Sequence, residues 1–144
     1  MRVPDGSRAS VNPSFPLSDT LVLMASDHYF SATPASPENL RRIRVPIAGR
    51  DVMLSTAGGT FSPERLDAGT SVLLANTPPP PPGGHFLDLG CGWGPIALTM
   101  ATLSPHATVW AVDVNERALG LVRKNAEELG LDNVRAVTAD EVPD

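Results

Sequence analysis

Between residues 43 and 56 apolar and polar positions alternate. Ile43, Val45 and Ile47 are separated by Arg44 and Pro46; after Ala48-Gly49-Arg50-Asp51 the alternation resumes at Val52, Leu54 and Thr56. A period of two on either side of a glycine-containing turn predicts a β-hairpin with one buried face. Beyond it the pattern becomes strand, turn, helix. Phe86-Leu87-Asp88-Leu89 reads as a short buried strand running into Gly90-Cys91-Gly92-Trp93-Gly94-Pro95. Pro95 suits the first position of a helix, which Ile96, Ala97, Leu98, Met100, Ala101 and Leu103 continue. Val109-Trp110-Ala111-Val112 is a second buried strand, ending at Asp113. Residues 116–130 form an amphipathic helix, with Asn115 as its cap, Ala118, Val122, Ala126 and Leu129 at helical spacing, and Gly130 as its stop. Val134, Ala136, Val137 and Ala139 give a third strand that ends at Asp140-Glu141. Strands alternating with helices predict an α/β domain with a parallel sheet, preceded here by the hairpin.

The remaining segments frame that domain. Residues 1–26 read as a tail rich in proline and small polar residues, with a short helix over 18–27 capped by Ser18. Residues 27–76 hold Asp27-His28-Tyr29-Phe30-Ser31, a loop with Pro34 and Pro37, the hairpin, and a short helix capped by Asp67 or Thr70. His28 by itself reads as an ordinary surface or core histidine. Residues 77–84, with five prolines followed by Gly83-Gly84, read as a semi-rigid connector with a flexible end. Residues 85–144 carry the α/β pattern.

A length of 144 residues fits one domain, and 42% apolar residues are enough for a core. The net charge of −5 excludes a global field that draws nucleic acid. Its distribution is uneven, since residues 1–50 hold six arginines against four acids. Arg41, Arg42, Arg44 and Arg50 cluster on the hairpin; solvated strand positions are the favoured reading, a small phosphate-contacting patch the sharper one. Cys91 is the single cysteine, so no internal disulfide framework exists. No apolar run has the length of a membrane span, and residues 1–20 lack the apolar core of a signal peptide. A reducing cytoplasm is the default, and no metal ligand set is read.

The glycine turn carries the chemistry. Strand, turn and helix N-terminus in succession are expected to present N–H groups and a positive dipole end to a polar ligand. The spacing is G-x-G-x-G rather than the G-x-G-x-x-G of a dinucleotide site. Asp88, two residues before the first glycine, suits a ligand bearing a cation, such as an amino group, and would repel a pyrophosphate. Cys91 occupies a position that needs a small residue with its backbone toward the ligand; nothing near it lowers a thiol pKa, so it is not a nucleophile. Asp113 follows Gly94 by 19 residues, close to the offset at which an acid meets ribose hydroxyls in nucleoside-binding α/β folds. Asn115 can cap the next helix, which leaves Asp113 free for that role.

The glycine motif resembles the first motif of the class I S-adenosylmethionine-dependent methyltransferases. Upstream, F-S-x-x-R-x-D-x-G-T-x-x-L, beginning at Phe61, and the acid-His-Tyr-Phe-Ser element at Asp27 resemble segments of the small-subunit ribosomal RNA guanine-N2 methyltransferases (the RsmC-like, MTS-domain family). The resemblance implies a Rossmann-like fold of which only the N-terminal half of the sheet is visible, with the three strands ordered third, second, first. It implies S-adenosyl-L-methionine as cofactor, ribosomal RNA as substrate, and methyl transfer to a guanine exocyclic amine. The expected cofactor-binding residues are Asp88, Gly90, Cys91, Gly92, Gly94, Asp113, Val114, Asp140 and Glu141. In the resembled fold an acid at Asp140 accepts from the adenine amino group; a plain surface acid is an equal reading. The family's N-P-P-[FY] motif, which orients the target nitrogen, has no match here, so no catalytic residue is assigned. The chain reads as truncated after the third strand, and alone it is expected to be inactive and prone to self-association through its exposed first strand. A protein amide or a small molecule as acceptor, and a non-catalytic cofactor-binding fragment, remain open alternatives.

Overall fold

The computed structural model describes residues 32–34 and 38–144. The helix expected over 18–27 and the Asp27–Ser31 element lie outside the described residues. Strands β1 (Arg41–Ile47) and β2 (Arg50–Thr56) pair antiparallel, Ile43 opposite Leu54 and Ile47 opposite Arg50. Their turn is shorter than the sequence suggested. Only Ala48 and Gly49 form it, at φ 48° and 80°, a two-residue turn whose twist matches that of the strands. Arg50 and Asp51 therefore belong to the ladder.

The alternation buries Val45, Ile47 and Leu54, which pack with Trp93, Leu98 and Leu121 of the following domain. The hairpin is thus a wall of the main core, although its strands do not join the main sheet. Helix α1 (Ala68–Asn76) follows, with Asp67 as its cap accepting from the Thr70 amide at 3.0 Å. None of its residues is buried.

Strands β3 (Gly83–Leu89), β4 (His106–Val112) and β5 (Val134–Val137) form a parallel sheet in the order β3-β4-β5. The expected order of the three strands holds. Gly83 and Gly84, read from sequence as a flexible end, pair instead with His106 and Ala107, because a parallel ladder needs only their backbone groups. Helices α2 (Pro95–Leu103) and α3 (Glu116–Glu128) cover one face, enclosing Ala97, Ala101, Val109, Ala111, Leu119 and Val122. Pro95 opens α2 and Asn115 caps α3, accepting from the Arg117 and Ala118 amides, as the sequence indicated. On β3, outermost among the described strands, Leu87 and Leu89 are 56% and 74% exposed. The third strand stops at Val137, and Ala139–Glu141 is a 3-10 turn closed by reciprocal bonds between Thr138 and Glu141. No helix among the described residues is long and apolar enough to cross a membrane, and no group of three potential metal ligands occurs among them.

Candidate functional site

The glycine turn lies at the carboxyl ends of β3 and β4, where ligands of open α/β sheets bind. Its amides are not free for a ligand, contrary to the expectation from sequence. Gly90 and Cys91 both donate to the Val112 carbonyl, at 2.7 and 2.9 Å. Gly92 donates to Asp113 Oδ2 at 2.9 Å, and Gly94 donates to the Cys91 carbonyl at 3.0 Å. The end of β4 takes up these donors because parallel pairing carries the ladder past Leu89. What the turn offers is therefore carboxylate oxygen and open space rather than an anion-binding nest.

Two acids stand beside it. Asp113 Oδ1 accepts from the Asn115 amide at 2.9 Å while Oδ2 holds Gly92, so each oxygen keeps acceptor capacity for a hydroxyl. This dual role, fixing the turn as well as facing the hollow, was not foreseen from sequence. Asp88 is 7% exposed and accepts from the Ala97 amide at 2.9 Å. Burial pushes its pKa from 3.8 up to about 6; the Ala97 bond opposes this and the Asp113 charge adds to it. A buried carboxylate in this state gains from a cation brought alongside. Cys91 is buried, and burial together with the two carboxylates pushes its thiol pKa up, which removes it as a nucleophile.

Two hollows meet over the turn. The larger, about 300 Å³, is lined by Leu89, Asp113, Val114, Asn115, Ala118 and Ala139. The smaller, about 110 Å³, is lined by Ser62, Asp67, Thr70, Asp88, Cys91 and Ile96 among others. Phe61, Gly90 and Gly92 line both. A Cβ on Gly90 or Gly92 would meet nothing within 4 Å, and both sit at positive φ, 78° and 55°, so a ligand can reach the main chain there. Gly94 lines neither hollow. Its Cβ would come 3.0 Å from Val122 Cγ2, so packing against α3 accounts for that glycine.

The structure thus brings together Asp88, Gly90, Cys91, Gly92, Asp113 and Val114. Asp140 and Glu141 line neither hollow. Both are exposed, and the Thr138 hydroxyl donates to Asp140 at 2.6 Å, which lowers the Asp140 pKa. Ala139 takes the place at the rim. Phe61, Ser62, Asp67 and Thr70 were absent from the expected set. Their signal was the Phe-Ser-x-x-Arg-x-Asp-x-Gly-Thr pattern, whose position against the turn only the fold reveals. The hairpin arginines do not gather into a patch. The register puts Arg41 and Arg50 on one face and Arg42 and Arg44 on the other. Arg41 pairs with Glu64 at 2.7 Å and Arg42 with Glu128.

Comparison with known proteins agrees with this geometry. Residues 51–143, more than half of the chain, match the Methyltransferase small domain family. The chain is 35% identical over 115 residues to the uncharacterized protein YbxB of Bacillus subtilis strain 168, covering 80% of this chain and 57% of that protein. It is 35% identical over 86 residues to ribosomal RNA small subunit methyltransferase C of Shewanella amazonensis, covering 60% of this chain and 25% of that enzyme. The chain therefore spans between a quarter and just over half of the length of these relatives. Among solved structures, the T. thermophilus 16S rRNA N2 G1207 methyltransferase (RsmC), in complex with AdoMet and guanosine, matches with a TM-score of 0.57 and 22% identity over 72% of this chain and 29% of that one. With its Rossmann-like sheet and glycine turn, the chain belongs to the methyltransferase small domain family.

Proposed function

We propose that the two hollows hold S-adenosyl-L-methionine, and that the protein transfers its methyl group to a guanine exocyclic amine of ribosomal RNA. The observation that carries the cofactor reading is the pair of carboxylates flanking an open glycine turn whose amides are already used. A dinucleotide pyrophosphate would find two acids and few donors. S-adenosylmethionine instead brings a ribose diol, matched to Asp113, and an ammonium group, matched to Asp88. The larger hollow, lined mostly by apolar and small residues, is at the lower end of the size range of ligand pockets, roughly 300–1,000 Å³. When bound, the cofactor supplies an activated methyl group on sulfur. The chain's own contribution is orientation and exclusion of water, since Leu89, Val114 and Phe61 wall the site. The ribosomal RNA substrate is supported by the named relatives, and such a substrate is met in the cytoplasm.

Calorimetric titration tests the cofactor. Asp113→Ala is expected to weaken S-adenosylmethionine binding by about 1–3 kcal/mol, because it leaves ribose hydroxyls unpaired and releases the Gly92 amide. An unchanged affinity would remove Asp113 from the site. The acceptor is read in the cell. Deleting the coding gene is expected to remove one N2-methylguanosine from small-subunit ribosomal RNA, measured by nucleoside mass spectrometry. An unaltered nucleoside profile would overturn that acceptor.

Asp88 makes the site pH-dependent. Its folded pKa of about 6 lies above the unfolded value of 3.8, so its contribution to stability is fully present below pH 4 and is lost as pH rises through 6. At neutral pH the buried charge costs the unliganded fold roughly 2–3 kcal/mol. Asp88→Asn keeps an acceptor for the Ala97 amide and is expected to be more stable than the native chain at pH 7 but not at pH 4. It is also expected to bind the cofactor more weakly. Native affinity is expected to fall as pH drops below 6, while that of the variant stays flat. Parallel pH profiles for the two proteins would refute the assignment.

A further inference from the structure

Phe61 is a large apolar side chain left 46% exposed in a loop that the fold otherwise ties down closely. Arg117 Nη1 donates to the Gly58 carbonyl at 2.6 Å and Asn115 Nδ2 donates to that of Gly59 at 2.7 Å. Trp93, buried within the glycine turn, donates its indole N–H to the Ser62 carbonyl at 3.2 Å. The Thr56 hydroxyl donates to the Pro63 carbonyl, and the Ser62 hydroxyl to that of Arg65 at 2.8 Å. Ser62 itself is held at φ 46°, a left-handed conformation that a serine adopts only at a cost and that the surrounding bonds enforce. Strain and anchoring of this kind, spent on presenting a half-exposed ring, point to a ligand rather than to the core.

The position of the ring identifies the part of the ligand. Asp113 lines the larger hollow and Asp88 the smaller one. With the ribose at the first and the amino group at the second, the atom joining the two halves of S-adenosylmethionine is its sulfonium sulfur. Of the three residues that line both hollows, two are glycines, so Phe61 supplies the one side chain at the junction. We propose that the Phe61 ring faces the sulfonium and, by cation–π attraction, favours the charged cofactor over S-adenosylhomocysteine, the neutral thioether left after methyl transfer. The inference rests on the cofactor reading above. It makes Phe61 a specificity-determining residue that holds the donor before transfer and loosens the product after it.

The test compares two ligands on one protein. Dissociation constants for S-adenosylmethionine and S-adenosylhomocysteine are measured by calorimetry on the full chain and on Phe61→Leu and Phe61→Tyr. Leucine keeps apolar bulk without a π face, and tyrosine keeps the ring. Phe61→Leu is expected to weaken S-adenosylmethionine by roughly two- to thirtyfold while S-adenosylhomocysteine changes by about twofold at most, and Phe61→Tyr is expected to keep the native ratio. Binding of the neutral product also reports that each variant is folded. Equal losses for both ligands in Phe61→Leu, or no loss for either, would overturn the role of Phe61 and leave the cofactor reading standing. A native chain that binds neither ligand would overturn both.

Discussion

Gly92→Val is expected to weaken S-adenosylmethionine binding by roughly a hundredfold or more, the largest loss from any single change at the site. Three effects coincide at this residue. Its φ of 55° is left-handed, which costs a non-glycine residue about 1–2 kcal/mol and a β-branched one more. Its added Cβ would point into open space over the turn, and Gly92 lines both hollows, so the branched side chain would occupy the ligand's own volume. If the chain relieves the strain by rotating, the Gly92 amide leaves Asp113 Oδ2 and frees the carboxylate expected to hold the ribose. Calorimetry measures the binding loss, and thermal unfolding of the same variant separates it from a loss of fold. Affinity within about threefold of the native chain would show that the ligand does not pass over Gly92.

The largest effect on stability is expected from Asn125→Leu, at about 2–4 kcal/mol, or roughly 10–20 °C in Tm for a domain of this size. Asn125 is fully buried in the otherwise apolar face of α3. Its Oδ1 accepts from the Ser55 amide at 2.7 Å, and its Nδ2 donates to the Ser55 carbonyl at 2.9 Å and to the Trp93 carbonyl at 3.2 Å. It therefore completes the backbone bonding of a buried β2 residue and ties the hairpin to the glycine turn. Leucine has nearly the same shape but would strand an amide and two carbonyls away from water. Asn125→Asp separates shape from donor capacity. It can still accept from Ser55 but would set a carboxylate against two carbonyls at neutral pH, so it is expected to unfold at least as readily. Differential scanning calorimetry decides, and a Tm within a few degrees of native in Asn125→Leu would refute the account.

Both residues bear on what could be read before the fold was known. Gly92 announced itself, because the G-x-G-x-G spacing after an apolar strand is a local signal that needs no partner beyond its neighbours. Asn125 gave none. Within the stripe of Ala118, Val122 and Ala126 it looked like a polar interruption, and its partners lie 70 and 32 residues away. The hairpin arginines are a similar case. Their clustering in sequence suggested a common patch, but strand alternation divides them between two faces, and Glu64 and Glu128 take up two of them.

By itself, the sequence determined whatever depends on a few consecutive residues. It fixed the period-two hairpin, the strand–glycine–helix motif with Pro95 at the helix start, the Asn115 cap, and two acids at the ends of successive strands. These features follow from turn chemistry, capping and alternation, which act within one or two turns of chain. Only the tertiary structure decided how those pieces are used. It spent the turn amides on Val112 and Asp113, moved Gly94 from ligand approach to packing against Val122, and made strand out of Gly83 and Gly84. It left Asp140 and Glu141 outside the hollows and set Phe61 over the turn through bonds from Trp93, Asn115 and Arg117. The physical reason is common to all of these. A backbone donor, a buried polar group or a loop takes its partner from whatever close packing brings near, and that choice is made between segments tens of residues apart.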